Sequence, residues 1–549
     1  MSLALFQGPD QLELNCEEIR QRTERGETTF HILAAETIAD CFTNVKGRHM
    51  KVRDCFKFVP RSAAELDLVY YDGVRWQTDT GKAGLKFLNT VVCNVMASIL
   101  GVSGVNRPAF IVGGNFTSSV VQQMQDTLFD INFFNEFNGD STRKYVMYSD
   151  GLIEDRDTKA IHKGGPEHLC GLTCGFPYPA DEIPQIHLKV SSILDIHQLM
   201  TEIKTQETMS RVKAGRFYTL PEDFKYHPGT IEKLDALAAV IPGLQAVRNS
   251  FKSWPPVLFL LKQLARARYA REAYEEVLFW FGRMGQNGKG LLYNLIKSFS
   301  GDYAKEPRPA LFSAPETAEG TSTFLLACRG RRYLLVPELD RSVVLKSAFL
   351  KTMRDQSSEI TARGLYRGDV SFSPQCLLVF STNLWPQLSS IDGGVERSFT
   401  AMDFPITFSE FPQGDDQRQV DETLKSKSFM HGCRAGWIYL LRAVDDAYMS
   451  ERTTTVSPRP HCVVLATERL LDGNEASSIR EFQETCIDLT TDWRTASTRP
   501  AIQRRLIETN RELSKKAAAE LLQRTYSEVK VNGRDLLQVK GSCKYAKLK

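Results

Sequence analysis

The chain has 549 residues, 42% apolar, 25% charged and 10% aromatic, which is ordinary for a folded globular protein. This length suggests several domains and excludes a wholly disordered, collagenous or coiled-coil molecule. Lys and Arg number 69 against 66 Asp and Glu, a formal net charge of +3, which argues against a protein that coats nucleic acid by bulk basicity.

The twelve cysteines are too sparse for a disulfide scaffold and read as thiols in a reducing compartment. The first residues, MSLALFQGPDQLELNCEEIR, turn acidic early and lack the basic flank of a secretory signal. The apolar run Pro256 to Leu264 is too short to span a bilayer. The expectation is a soluble intracellular protein without membrane contact.

Residues 1–135 read as an N-terminal α/β region of unassigned role. Within it, LDLVYYDGVRWQTD alternates around Asp72-Gly73 as a hairpin does, and 82–100 is apolar at helical spacing. A second strand–turn–strand pattern surrounds Asp150-Gly151, and the acids Asp150, Glu154, Asp155 and Asp157 are explained by the turn itself. His162, His168, Cys170 and Cys174 have the residue types of a zinc site but irregular spacing, so thiol packing is the competing reading. Pro221, Pro228 and Gly229 mark a boundary near 215–230, and residues from Thr230 towards Phe281 look mainly helical.

From 275 to 410 the pattern is most regular. EVLFWF is followed by a glycine loop and the helical LLYNLIKSFSG, then by RRYLLVPE and QCLLVFSTN. Continuous apolar runs of this kind suit strands buried on both faces of a mostly parallel α/β sheet. Residues 427–450 read as helical, as do EFQETCIDL and ELSKKAAAELLQRTY, while Asn532-Gly533 signals a hairpin near the end.

The sharpest motif is Gly282-Arg283-Met284-Gly285-Gln286-Asn287-Gly288-Lys289-Gly290. Glycines admit phosphate to the backbone amides, Lys289 can reach the β- and γ-phosphates, and the following helix directs its positive end at the same anion. Two positions depart from the usual phosphate loop: Gly282 stands one residue early, and Gly290 replaces a hydroxyl that ordinarily helps to hold Mg²⁺. A tight structural turn is the competing reading. Glu338 ends the second apolar run, where a carboxylate can polarise water near a bound metal, with Asp340 close by. Asn383 ends the third and can contact a γ-phosphate or merely cap the turn. Arg397 can stabilise transferring phosphoryl charge or serve as a surface residue.

In this order GQNGKG, LLVPELD, LKTMRDQSSEITARGLYRGDVSFSP, CLLVFSTNLWPQLSSIDGGVERSF and MDFPITF resemble the superfamily 3 helicases of the poxvirus and phage–plasmid primase-helicase type. The resemblance implies an AAA+-like P-loop ATPase core with a mostly parallel sheet. Mixed α/β helicase-associated domains precede it and a small winged-helix-like domain follows. The boundaries it implies are a helicase-associated domain at 136–225, the ATPase with its helical lead-in at 226–425, a helical connection at 426–500 and a basic module at 501–549.

The implied activity is ATP-dependent unwinding by a hexamer moving on single-stranded or forked DNA during replication of a viral or mobile-element genome. ATP and Mg²⁺ are the implied cofactors, and a separately encoded primase or polymerase is the implied partner. The host compartment, cytoplasm or nucleus, stays open. Lys289, Glu338, Asn383 and Arg397 take the catalytic roles, Glu338 the metal, and Gly282, Gly285, Gln286, Asn287, Gly288, Lys289 and Gly290 the nucleotide. Arg397 falls at the family's arginine finger, although Glu396 replaces the usual preceding arginine.

Basic candidates for DNA phosphates are Lys351, Arg354, Arg363 and Arg367. The last 49 residues carry +7, leaving the remainder at −4, and add Arg504, Arg505, Lys515, Lys516, Arg534, Lys540 and Lys544. No primase constellation is legible in the first 220 residues. A DNA-dependent ATPase acting in initiation, packaging or plasmid maintenance, or a nucleotide-binding DNA scaffold without catalysis, remain the alternatives.

Overall fold

A computed structural model of the chain describes residues 9–548, apart from 28, 61–64, 80, 103–114, 131, 215–216, 270–274, 284, 314–322, 340–342, 356–358, 364–368, 375, 449–454, 472–486, 510–521, 524–525, 533 and 540–543. In the N-terminal region, the strands Phe56–Pro60, Leu66–Tyr71 and Trp76–Thr78 form an antiparallel sheet. The turn expected at Asp72-Gly73 joins the last two, because the Asp72 carboxylate accepts the backbone N–H groups of Val74 (2.8 Å) and Arg75 (2.9 Å). Helices His31–Asp40, Ala83–Ile99 and Asn115–Thr127 cover the sheet through Ile38, Val92, Met96 and Val120, all fully buried with Phe56.

A second small sheet, Tyr145–Met147, Leu152–Asp155 and Ile161–Lys163, contains the acidic turn cluster, but the turns use only Asp150 and Asp155; Glu154 is instead buried in ion pairs and Asp157 pairs with Lys144. Asp150 accepts the N–H of Leu152, and Asp155 those of Asp157 and Thr158. The zinc reading is not supported here. Cys170 and Cys174 are buried among apolar and aromatic side chains, and His168 Nδ1 accepts the N–H of Gly165. Among the described residues no group of three or more His, Cys, Asp or Glu gathers to hold a metal ion.

The central element is a five-stranded, wholly parallel sheet. Its strands are β1 (Val277–Phe281), β2 (Ala304–Lys305), β3 (Tyr333–Val336), β4 (Leu377–Thr382) and β5 (Phe399–Asp403), in the spatial order β2-β3-β4-β1-β5. Successive side chains of a strand face opposite sides, and here both sides are buried. Leu278, Trp280, Leu335, Val379 and Met402 enter one core with helices α1 (Trp254–Tyr269), α2 (Lys289–Ser300) and α5 (Lys427–Tyr448). Val277, Phe279, Leu334, Val336, Leu378, Phe380 and Ala401 enter the other, with α3 (Ser347–Arg354) and α4 (Gly393–Ser398). This two-sided burial is why β1, β3 and β4 read as unbroken apolar runs.

Buried ions tie these layers together. Glu154, 2% exposed, pairs with Arg268 of α1 at 3.0 Å and Arg442 of α5 at 2.7 Å. Glu276, at the entrance to β1, is fully buried. It accepts from Gln263 Nε2 (2.7 Å), Thr400 Oγ1 (3.2 Å), the Val456 N–H (3.1 Å) and Arg459 Nη2 (3.2 Å). One carboxylate thereby joins α1, β5 and the segment that carries Val456 and Arg459.

The C-terminal module departs from the expected helical connection. Ile487–Thr490 is a β-strand, not part of a helix, and pairs antiparallel with Tyr545–Leu548. It completes a four-stranded sheet with Tyr526–Val531 and Arg534–Val539, beside the helix Arg499–Thr509. Local pattern is overridden here by pairing with a distant segment. The hairpin expected at Asn532-Gly533 forms across Val531 and Arg534, while most of the helix expected at 512–526 lies outside the described residues. No helix among the described residues is long and apolar enough to cross a membrane.

Replacing Glu276 with Gln retains the shape but leaves Arg459 charged in the core. Glu276→Gln is expected to lose about 3–5 kcal/mol of stability, read as a lowered denaturation midpoint of the unit that contains the parallel sheet.

Candidate functional site

β1 ends at Phe281 and the glycine loop begins at once. The N–H of Gly282 donates to Thr382 O of β4 at 3.1 Å, so the loop leaves the sheet still attached to its neighbour. Gly282 sits tightly: a Cβ there would come within 1.8 Å of Asn287 Nδ2 and 2.5 Å of Lys289 Nζ. Gly288, with φ +86°, starts α2, and a Cβ would meet Ser250 Oγ at 2.2 Å. Gln286 also takes a left-handed backbone (φ +47°), which costs energy for a residue with a side chain. It is held there by the Phe408 N–H, which donates to Gln286 O at 2.8 Å.

This loop delivers Lys289 into the sheet edge. Lys289 is only 6% exposed, and its ammonium donates to three uncharged oxygens: Asn287 Oδ1 at 2.7 Å, Asn383 Oδ1 at 2.9 Å and Gly282 O at 3.4 Å. Burial pushes its pKa down to about 8, while Glu338 and Asp403 act in the opposite sense. Asn383 turns its amide nitrogen to Glu338 Oε1, so Lys289, Asn383 and Glu338 form one hydrogen-bonded chain. Lys289 opens α2 after the loop that follows β1, while Asn383 and Glu338 lie just beyond the ends of β4 and β3, and these three strands adjoin in the sheet. Thr382 shapes the turn that carries Asn383, accepting the Leu384 N–H at 3.1 Å. Trp385 then stacks on Phe281 with ring centroids 3.9 Å apart.

These groups line a cleft of about 640 Å³ whose walls include the loop from Gly285 to Gly290, Glu338, Asn383, Phe408 and the 420–425 segment. It lies outside the carboxyl ends of the strands, where β1 is flanked by β4 and β5. That is the crevice where open parallel sheets bind ligands. Positive φ values and a helix N-terminus turn backbone N–H groups toward one place, a setting for anions. Glu338, exposed in the cleft wall, carries hard carboxylate oxygens of the kind a magnesium ion accepts.

Asp403 was absent from the sequence-based set. It ends β5 directly opposite Phe281. Burial raises its pKa, with Arg469, Lys289 and Lys252 opposing. An acid closing a strand was its only local signal; its proximity to Lys289 depends on β5 lying beside β1.

Arg397 does not join this cleft. It is exposed on α4, its Nε donating to Gly393 O at 3.2 Å. α4 leads into the amino end of β5, the opposite edge of the sheet.

The basic candidates divide. Lys351 pairs with Asp392 at 2.6 Å, half-buried. Arg354, also a candidate for DNA phosphates, is instead 8% exposed and donates to Glu275 O at 3.1 Å. The short helix α3 must bury Phe349, Leu350 and Met353, and this turns Arg354 inward. Arg534 also departs from a free phosphate contact, donating to Arg494 O (3.1 Å) and Ala496 O (2.8 Å). Arg504, Arg505 and Lys544 are exposed. Arg367, Lys515, Lys516 and Lys540 lie outside the described residues, as does the side chain of Arg363, whose backbone ends the strand Ile360–Arg363.

No family model matches the chain. It is 30% identical over 198 residues to the "Putative primase" of African swine fever virus from a Malawi tick isolate, covering 36% of this chain and 19% of the relative. The corresponding protein of the Badajoz strain is 31% identical over 188 residues, 34% of this chain and 18% of the relative. The matched stretch thus spans about a fifth of these relatives' length. Apo structures of the C-terminal region of NrS-1 overlap 62% and 60% of this chain and 82% of their own, at 12% and 13% identity and TM-scores of 0.29 and 0.30.

A lysine that loses its proton near pH 8 holds anions only in its protonated form. Affinity for inorganic triphosphate, measured by calorimetry, is expected to be full below that pH and to fall toward tenfold per further unit above it. The same titration of Lys289→Ala should lack this decline.

Proposed function

We propose that the chain is an ATP-dependent DNA helicase of the superfamily 3 type, a hexameric motor that moves on single-stranded DNA in the replication of a viral or mobile-element genome. The observation that carries the reading is the hydrogen-bonded chain Lys289–Asn383–Glu338 at adjoining strand ends, beside the amino terminus of α2. Similarity to a fifth of the length of a viral protein named "Putative primase" supports replication as the setting. On this reading, the parallel sheet with its flanking helices, α5 included, is the motor, 136–225 an associated domain, and the C-terminal sheet, to which Ile487–Thr490 belongs, a DNA-facing module.

The triphosphate of ATP replaces the neutral oxygens now around Lys289, and the ammonium gains a charged partner. That exchange releases the Asn383 amide oxygen from Lys289, while the amide nitrogen, which now donates to Glu338, is the donor a terminal phosphate oxygen accepts from. Glu338, exposed at the cleft wall, orients the attacking water and contributes a metal ligand. Magnesium, held there by Glu338, would supply positive charge that offsets the charge developing on the transferred phosphoryl group. Arg397 acts on the neighbouring subunit's nucleotide, so hydrolysis is coupled to closure of one subunit on the next.

Wild-type protein with Mg²⁺ is expected to hydrolyse ATP faster when single-stranded DNA is added and to separate forked duplexes. Lys289→Ala should abolish both nucleotide binding and turnover. Glu338→Gln should lower kcat by at least a hundredfold, as loss of a positioned general base or charge-stabilising group does, with nucleotide still bound. Hydrolysis without strand separation would favour an ATPase of initiation, packaging or plasmid maintenance, and binding without hydrolysis a scaffold. Arg397→Ala is expected to lower steady-state turnover while leaving the nucleotide Kd of dilute protein unchanged; equal loss of both would contradict action between subunits.

A further inference from the structure

Gly290 stands where a phosphate loop ordinarily presents a hydroxyl to its metal ion, and the space this leaves is open. A Cβ at Gly290 would meet nothing within 4 Å, and the residue is exposed to the cleft. One helical turn further along α2 is Asn294, also exposed and also lining the cleft. Residues four apart share a helix face, and helical side chains lean back toward the amino terminus. Asn294 therefore leans over the bare backbone of Gly290.

The rotation of α2 is fixed by the residue before it. Tyr293 is buried, and its hydroxyl is anchored to the sheet, donating to Val336 O (2.8 Å) with Val379 O also in reach (3.3 Å). A step of about 100° per residue then turns Asn294 off the sheet and toward the cleft. Among the described residues the Asn294 amide makes no hydrogen bond, so its oxygen is available. A side-chain amide oxygen is a hard, neutral donor of the kind divalent cations accept beside a carboxylate.

We propose that Asn294 supplies the oxygen that Gly290 lacks, entering with Glu338 the coordination shell of the divalent cation that accompanies the bound triphosphate. This rests on the nucleotide-binding reading above and names a ligand that the usual loop does not use. No bond is made or broken by Asn294; its contribution is to cation affinity.

The test uses the full chain and a non-hydrolysable ATP analogue, with binding followed by fluorescence as Mg²⁺ or Mn²⁺ is titrated. Asn294→Leu is expected to raise the half-saturating cation concentration at least tenfold, the scale on which lost metal-site partners act, and to leave binding in EDTA unchanged. Gly290→Ser added to Asn294→Leu should restore most of the cation affinity, because the hydroxyl then occupies the open space. Asn294→Asp, which keeps an oxygen, should bind cation at least as tightly as wild type.

A wild-type cation dependence in Asn294→Leu would overturn the proposal, as would an Asn294→Leu defect that Gly290→Ser does not relieve. If wild type binds no nucleotide at any cation concentration, the nucleotide reading itself fails. That outcome is distinct from intact, Mg²⁺-dependent binding that ignores position 294.

Discussion

A lysine ammonium removed from water at the edge of a parallel sheet is the constraint around which the rest of the site is arranged. An ammonium in that position loses hydration that neutral oxygens only partly replace. Lys289 has three such oxygens and, among the described residues, no ion pair in contact, and burial lowers its pKa as a result. The protein tolerates this only because its surroundings are rigid. Gly282 has no Cβ where one would strike both Asn287 and Lys289, Gln286 keeps a strained backbone under the Phe408 N–H, and α2 is pinned by Tyr293. Each of these features separately limits how far Lys289 can withdraw. An arriving polyanion therefore meets a cation already placed, with little left to order on binding.

The sheet order supplies the other half of that placement. Because β1 lies between β4 and β5, residues far apart in sequence arrive at one edge: Lys289 after β1, Glu338 after β3, Asn383 after β4 and Asp403 at the end of β5. Register carries this into detail. Phe281 pairs with Thr382 on one side and Asp403 on the other, so the glycine loop starts level with both neighbouring ends. The Phe281–Trp385 stack continues the match beyond the last paired residues and ties the loop's departure point to the turn bearing Asn383. A displacement of one strand by a residue would reverse its side chains between the two cores. The buried faces thus protect the geometry of an exposed cleft.

What was legible in the sequence follows from the same physics. β1, β3 and β4 were readable because burial on both faces leaves apolar runs with no polar interruption, and the loop because Gly282, Gly285 and Gly288 answer local demands of space and φ. Glu338 and Asn383 were readable as polar residues closing such runs. Asp403 was not, since its meaning depends on a strand neighbour that no local pattern specifies. Arg354 misled because a basic residue on a short helix reads as solvated, whereas α3 spends its limited surface on Phe349, Leu350 and Met353. Ile487–Thr490 misled because its partner is Tyr545–Leu548, at the other end of the module. Both failures concern elements too short to settle their own environment.

Parallel strands also separate what a single subunit can do from what it cannot. Their carboxyl ends gather the Lys289 cleft, while their amino ends receive the connections, among them α4 with Arg397. β5 alone puts about 13 Å between the two edges at the usual rise per residue, and side-chain reach does not bridge that gap within one chain. Asp392 makes the arrangement stiffer, capping α4 through the N–H groups of Gly394 and Val395 while it pairs with Lys351. An arginine on a capped helix at the far edge is poorly suited to its own cleft and well suited to present itself outward. Under the motor reading, that outward surface meets the next subunit's cleft, so the same strand polarity that assembles the nucleotide site makes its completion depend on a neighbour.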